Sequence, residues 1–249
     1  MNIKNYFLIL LFIIICPANS FPQGLFQKPL ETKVKYTESV IDPDYGIMMY
    51  TRLTIMLGGD SVRYCNGYAC QSWIEDHYEN GQLLHKGYYM EGQLKIYKNY
   101  YPDGAIERQF RNTDLSKCEL ITHYPDGKLR TKGVYINGSA LQYEEYYANG
   151  SPGYYEESHK SLDYYINTRS YFENGKPESI LQLIDPKKMI YNKMEYYENG
   201  NIKEEGKLFF NKSSLDYYKA DKWLFYNENG KLVNESFYEN GKKIKENNY

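Results

Sequence analysis

The sequence predicts an all-β fold: tandem β-hairpin repeats forming an elongated, curved antiparallel meander with an N-terminal β cap. Three observations carry that prediction. Tyr78-Glu79-Asn80-Gly81-Gln82-Leu83 returns, slightly altered, as Tyr101-Pro102-Asp103-Gly104-Ala105-Ile106 and Tyr124-Pro125-Asp126-Gly127-Lys128-Leu129, with further copies centred on Gly150, Gly175, Gly200, Gly230 and Gly241. The glycines step by 23, 23, 23, 25, 25, 30 and 11 residues, and a fixed period in the twenties marks a repeat architecture. Each glycine follows Asn or Asp, the strongest short hairpin signal. The chain also holds 30 tyrosines and 19 glycines, a composition that favours strands, because tyrosine suits a half-buried pleated surface.

Residues 1–20 read as a leader. Lys4 precedes an apolar run from Tyr6 to Ile15, then Cys16, Pro17 and the small residues Ala18-Asn19-Ser20. That order describes a secretory signal peptide, and the run is shorter than the roughly 20 residues that span a bilayer. Cleavage is expected after Ser20, leaving Phe21 first and the mature chain exported to the periplasm, cell surface or medium. Cys16 offers a second reading, as a lipid anchor, although Ile15 stands where lipoprotein signals carry a small residue. The formal charge is −2, with both signs interspersed. It lacks the basic stripe that nucleic acid or an anionic membrane surface requires, so neither a nucleic-acid partner nor membrane insertion after cleavage is expected.

Residues 21–72 read as a cap, closing an end that would otherwise present unpaired backbone. Lys33 to Ile41 suggests a strand and Asp42-Pro43-Asp44 a turn. Leu53, Ile55 and Leu57 alternate with period two before Gly58-Gly59-Asp60 turns the chain. Val62 to Cys65 and Tyr68 to Trp73 pair around Asn66-Gly67. Cys65 and Cys70 are expected to form a disulfide, as cysteines of an exported chain do. A two-residue turn at Asn66-Gly67 staggers the sulfurs, whereas a four-residue loop, Asn66 to Ala69, brings the pair face to face; the wider loop is the expectation. A metal reading adds His77 and His85, but zinc sites show tighter paired spacings, and neither metal nor cofactor is predicted. Cys118 reads as a half-buried small hydrophobe.

Residues 73–249 form the array, about eight units long. A two-residue type I′ turn, with positive φ at both the Asn or Asp and the glycine, is the expected hairpin connection. The aromatic two residues before the Asn or Asp (Tyr78, Tyr101, Tyr124, Tyr147, Phe172, Tyr197, Tyr238, with Tyr226 displaced by one) and the apolar residue two after the glycine (Leu83, Ile106, Leu129, Ile202, Leu232) flank it. A second reversal near mid-repeat appears as Glu91-Gly92 and Asn137-Gly138. Successive turns of a meander lie on opposite edges, so the Asn/Asp-Gly turns line one edge. The other edge varies: Asn112-Thr113-Asp114, Asn137-Gly138, Ser158 to Ser161, Asp185-Pro186-Lys187-Lys188, Asn211-Lys212-Ser213-Ser214, and an added Lys219-Ala220-Asp221-Lys222.

Tyr197-Glu198-Asn199-Gly200-Asn201-Ile202-Lys203-Glu204-Glu205-Gly206 and Trp223-Leu224-Phe225-Tyr226-Asn227-Glu228-Asn229-Gly230-Lys231-Leu232 resemble the variant MORN repeat of bacterial proteins, over residues 73–249. The resemblance implies a curved sheet of tandem hairpins. Many such bacterial chains are labelled antitoxin components of toxin–antitoxin modules; the export signal sets this chain apart from them.

No catalytic constellation stands out. His77 and His123 precede the turn aromatic, a place held by Tyr100, Tyr146, Tyr171, Tyr196, Phe225 and Phe237 in other copies, so they read as flat-ring packing. The adjacent pairs Glu144-Glu145, Glu156-Glu157 and Glu204-Glu205 point to opposite faces of a strand, which prevents one pair from flanking a bond. Tyr-Tyr doublets at 88–89, 100–101, 146–147, 154–155, 164–165, 196–197 and 217–218 put one ring on each face. One face is expected to pack and the other to show tyrosines to solvent. The expected function is a non-enzymatic exported scaffold for a protein or peptide partner, bound on the aromatic face or the variable edge. A cell-surface glycan-binding module and an antitoxin- or immunity-like protein are the alternatives.

Overall fold

A computed structural model describes residues 35–50, 62–113 and 116–249. The leader, its Ser20–Phe21 cleavage site, Cys16 and the Leu53–Asp60 segment lie outside the described residues. Around the N-terminus come β1 (Lys35–Tyr36), a 3-10 turn (Glu38–Val40), the β2–β3 hairpin (Ile41–Asp42, Gly46–Ile47) and the β4–β5 hairpin (Tyr64–Cys65, Tyr68–Ala69). The strand expected through Ile41 therefore breaks at Glu38. The array follows as β6 (Ser72–Tyr78), β7 (Leu83–Met90), β8 (Gln93–Tyr100), β9 (Ile106–Asn112), β10 (Lys117–His123), β11 (Leu129–Ile136), β12 (Ser139–Tyr146), β13 (Pro152–Ser158), β14 (Tyr165–Tyr171), β15 (Pro177–Asp185), β16 (Ile190–Tyr196), β17 (Ile202–Asn211), β18 (Asp216–Tyr226), β19 (Leu232–Glu239) and β20 (Lys242–Asn248).

One 16-stranded sheet holds β1 and β6 to β20 in sequence order, and it stays open instead of closing into a barrel. Every neighbouring pair is antiparallel except β1 on β6, where Lys35 and Tyr36 run parallel to His77 and Tyr78. At about 4.8 Å per strand the sheet is roughly 70 Å across. Seven hairpins, β6–β7 to β18–β19, make the units, with β20 left over. Gly241 does not open an eighth unit. It lies 11 residues after Gly230, the same offset as Gly92 from Gly81, and it turns on the opposite edge.

The turn type also differs from the expectation. At Gly81, Gly104, Gly127, Gly150, Gly175, Gly200 and Gly230 only the glycine has positive φ, for example 90° at Gly104, and the preceding Asn or Asp does not. The Gly104 N–H donates to the Tyr101 carbonyl and the Tyr101 N–H to the Ala105 carbonyl, each at 2.8 Å. This is a three-residue loop, a type I turn closed by a glycine bulge. At the first six the Asn or Asp is an acceptor, as Asp103 Oδ1 takes the Ala105 N–H at 2.9 Å and Asn174 Oδ1 the Lys176 N–H at 2.9 Å; at Gly230 Asn227 Oδ1 takes the Lys231 N–H at 3.0 Å. Type I′ geometry belongs to the other edge, where Glu91-Gly92, Asn137-Gly138 and Asn240-Gly241 each have two positive φ angles.

Two kinds of hydrogen bond clamp neighbouring units, and both occur together at the Tyr147–Asn149 and Tyr197–Asn199 turns. The turn tyrosine reaches the carbonyl just before the residue that opens the next turn: Tyr78 to Tyr100, Tyr101 to His123, Tyr124 to Tyr146, Tyr147 to Tyr171 and Tyr197 to Tyr226 (before Asn227), at 2.7–2.8 Å. Phe172 lacks the hydroxyl and interrupts this series. Asn149, Asn174 and Asn199 donate their amides to the carbonyls of Glu173, Glu198 and Glu228 at 2.9, 3.2 and 2.7 Å. Each hairpin also carries an extra residue three positions after the turn glycine. In β9, Ile106 pairs with Tyr100 and Arg108 with Asn99, so Glu107 is unmatched. Leu84, Arg130, Gly153, Glu178, Lys203 and Val233 take the same place in the other units. Such bulges increase strand twist and redirect side chains.

The added Lys219–Lys222 stretch is no loop on the variable edge. It is absorbed within β18, where Glu205 pairs with Leu224 and Lys207 with Ala220. Trp223 there lies flat over Gly206, whose missing Cβ leaves the room: a methyl group would sit 2.4 Å from the indole.

The main core lies at the N-terminal end. Ile47 and Tyr50 of the cap pack on Tyr78, Leu84, Tyr89, Leu94, Tyr97 and Phe110, with Cys70 and Cys118 at its margins. Among the described residues no second layer covers β12 to β20; their contacts run between sheet neighbours.

Candidate functional site

The cap is seated on polar groups. Asp44–Tyr50 crosses the sheet from β11 towards β6. Arg130 donates to the Asp44 carbonyl, Arg108 to the Tyr45 carbonyl at 2.6 Å, and Asn99 to the Ile47 carbonyl at 3.4 Å, while the Ile47 N–H donates to Glu107 at 3.1 Å. Tyr50 stacks on His85 at 3.7 Å and donates to Asp76 at 2.9 Å. Arg63 grips Asp76 through two bonds of 2.7 and 2.8 Å. His85 bonds Asn99 at 2.8 Å and the Tyr89 hydroxyl at 3.0 Å. Burial pulls the His85 imidazole down to about 4. Burial pushes the Asp76 carboxyl up, but the Arg63 guanidinium overrides it and holds Asp76 below its ordinary range. Glu107 is raised by burial. The only trace of this seat in the sequence is polar residues at equivalent places of successive copies.

The Cys65–Cys70 disulfide fixes the small hairpin beside this seat, with Cα atoms 5.0 Å apart. The turn is the two-residue one: Cys65 pairs with Tyr68, and Asn66 and Gly67 both have positive φ. The cysteines are diagonal neighbours on one face, close enough to join without the wider loop. The Arg63 N–H donates to the Gly92 carbonyl and the Gly92 N–H to the Cys70 carbonyl, docking the hairpin on the first mid-repeat turn. Cys118 is a free, buried thiol. His77 and His123 pair with Leu83 and Leu129 across their hairpins.

The variable edge gathers instead of trailing into solvent. Loops 159–164, 186–189 and 212–215 come from three consecutive units. Leu181, Met189, Tyr191 and Phe210 are buried beneath them, with Tyr164 and Tyr217 packed alongside. His159 stacks on Tyr164 at 4.6 Å, and the Lys212 ammonium lies 4.8 Å from that ring. Tyr191 donates to the Tyr165 carbonyl at 2.8 Å. The result is a cleft of about 320 Å³ lined by Glu156, Leu162, Tyr165, Phe210, Leu215 and Tyr217. Leu215 is 68% exposed at its rim and Tyr165 38%.

The expected face of solvent-exposed tyrosines is absent. Of the doublets only Tyr165 is largely exposed. The others lie against strand neighbours; Tyr154 and Tyr155 turn their hydroxyls to the glutamate two residues on, Glu156 and Glu157, as the single Tyr143 does to Glu145, at 3.0–3.2 Å. With no second layer over β12 to β20 among the described residues, each ring there covers its own sheet. The more exposed aromatics are Tyr64 and Tyr68 of the disulfide hairpin, Tyr249, Tyr45 and Trp73.

No curated protein sequence matches the chain. Among solved structures, an S. aureus TarM mutant in complex with fondaparinux, alpha-GlcNAc-glycerol and UDP overlaps 59% of this chain and 21% of its own, at 11% identity and a TM-score of 0.25. A TcdB2-TccC3-Cdc42 structure overlaps 64% of this chain and 11% of its own, at 12% identity and a TM-score of 0.23. The chain thus spans only a small part of either, and superposition at that level bears on nothing further. The MORN repeat variant family matches residues 194–211 and 222–240. Those segments begin in β16 and β18 and carry the turns at Gly200 and Gly230, so the hairpins at this end of the sheet are repeats of the MORN variant type.

Proposed function

We propose that the chain is an exported, non-enzymatic repeat scaffold that binds a protein or peptide partner on the loop edge of β13 to β18. The observation that supports this most is the exposed Leu215 and Tyr165 at the rim of a cleft lined by buried Phe210. Apolar side chains held rigidly at a rim mark interaction surfaces, and loops of repeat arrays commonly carry the binding face. The histidines support the non-enzymatic reading: His85 is sealed and hydrogen-bonded, and His77 and His123 sit in packing positions. The opposite edge is committed to the clamps between units.

A photo-crosslinking residue at position 215, and in a second protein at Glu173 on the clamped edge, tests the reading in the producing cell's envelope. A partner captured from 215 and not from 173, and lost on Tyr165→Ser, supports it. Equal capture from both positions, or capture abolished by soluble oligosaccharides, sinks it in favour of stickiness or of the glycan-binding alternative.

A further inference from the structure

The cap demonstrates how this sheet holds a peptide. Its backbone is gripped by side chains from three recurring positions of the unit: two residues before the turn aromatic, and three and four residues after the turn glycine. Asn99, Glu107 and Arg108 fill them in the second unit, and Arg130 belongs to the third. Register carries these positions on in an unbroken row of cross-strand partners: Asn99, Arg108, Thr122, Thr131, Glu145, Tyr154, Ser170, Ser179, Glu195 and Glu204. Direct partners lie on one face, so the seat of the cap continues as a polar rail past the point where the cap ends.

Along the part that no other described segment covers, the rail turns acidic. Glu145, Glu195 and Glu204 lie on it, Glu178 occupies the bulge beside it, and Glu156, opposite Tyr143, sits one row in. Lys193 and Lys219 already pair with Glu195 and Glu204, at 3.5 and 3.2 Å, and Lys203 adds one further cation. Glu145, Glu156 and Glu178 have no ion-pair partner among the described residues. Glu145 and Glu156 accept from Tyr143 and Tyr154, which places carboxylates and ring faces side by side, the combination that suits a lysine or arginine.

We infer that this rail, from β12 to β17, binds a linear peptide segment bearing basic side chains, laid across the strands as Asp44–Tyr50 is laid across β6 to β11. The inference rests on the scaffold reading in taking peptide binding as the function, but it concerns a row of the sheet face that shares only Glu156 with the loop-edge cleft.

The test titrates a fluorescein-labelled peptide of alternating lysine and serine, and its glutamate counterpart, with the full chain by fluorescence anisotropy. The lysine peptide is expected to bind, more weakly as salt rises, and the glutamate peptide not to. The triple variant Glu145→Gln, Glu156→Gln, Glu178→Gln should weaken binding by about tenfold. Glu144→Gln, Glu157→Gln, Glu205→Gln, which removes the same charge from the opposite face, should leave it unchanged, and circular dichroism checks that both variants stay folded. Absence of binding at about 1 mM peptide, equal binding of both peptides, or equal weakening by the two triple variants overturns the inference. Leu215→Ser separates the two readings: it should abolish partner capture at the loop edge and leave the lysine peptide bound.

Discussion

Phe172 is the one turn aromatic of its series without a hydroxyl, and restoring the hydroxyl tests the clamp directly. Its turn matches its neighbours: the Phe172 N–H donates to Lys176 at 2.9 Å and the Gly175 N–H returns to Phe172 at 2.8 Å. The carbonyl a tyrosine would meet is that of Tyr196, 24 residues on, the separation Tyr147 uses to reach Tyr171 at 2.7 Å. A net hydrogen bond contributes about 0.5–1.5 kcal/mol. The turn edge is half open to water, so Phe172→Tyr should gain about 0.5–1 kcal/mol and Tyr147→Phe should lose a similar amount. In a domain of this size that shifts Tm by roughly 2–4 °C per kcal/mol. Repeat arrays gain stability mainly from neighbouring units, so the effect should be local, with slower hydrogen exchange across 172–176 and 197–201. A Phe172→Tyr protein that melts no higher and exchanges no more slowly there, while Tyr147→Phe destabilises, refutes the clamp as a general device of the array.

Asn174→Asp keeps the acceptor for Lys176 but removes the donor to Glu198; a loss of about 0.5–1 kcal/mol by thermal melting is expected, whereas Asn174→Ala should lose more. Asp76→Asn leaves the largely buried Arg63 without its carboxylate and should loosen the cap by about 3 kcal/mol, seen as early proteolytic cleavage within 35–70; cleavage no faster than in the parent contradicts the seat. Replacing Cys65 and Cys70 by serine opens a short loop and should cost about 2 kcal/mol, read by exchange of the Arg63 and Gly92 amides. His85 sets a pH dependence. The unfolded imidazole takes its proton near 6.5 and the folded one at about 4. Its contribution is therefore complete above pH 6.5, is lost as pH falls through that window, and levels off below it, about 3 kcal/mol in all. Glu107, raised by burial, acts oppositely, favouring the folded state as pH falls towards 4.5. The difference between the parent and His85→Gln isolates the histidine, and a difference in melting temperature that stays constant from pH 7 to 4 would disprove the assignment.

The period, the two-turn unit and the antiparallel order were legible because turns need particular residues at fixed places. The turn type was not. Asn-Gly and Asp-Gly satisfy a type I′ turn and a glycine bulge equally, and the choice rests on whether the aromatic pairs with the residue after the glycine, which no side chain announces. The misplacement of Gly241 was avoidable, since its 11-residue offset equals that of Gly92 and Gly138 from their main turns. The seat under the cap stayed hidden for a different reason. Asp76, Asn99, Glu107 and Arg108 look like surface residues in sequence, and a bulge that turns Glu107 and Arg108 towards one segment leaves no propensity signal. The tyrosines misled because a ring on a single-layer sheet has no core to enter and lies down on its own strands.

The clamps all point the same way: each unit donates to the one after it and accepts from the one before. Donor and acceptor therefore match wherever a unit carrying both the turn tyrosine and the turn asparagine, such as that of Tyr147 and Asn149, meets the next turn. Excising residues 151–175 would bring Tyr147 against the carbonyl of Tyr196 and Asn149 against that of Glu198, restoring both contacts with no compensating change. Length is thus a free variable in this protein. Unequal recombination between copies could shorten or extend the ribbon one module at a time, and a designer could do the same to set its reach.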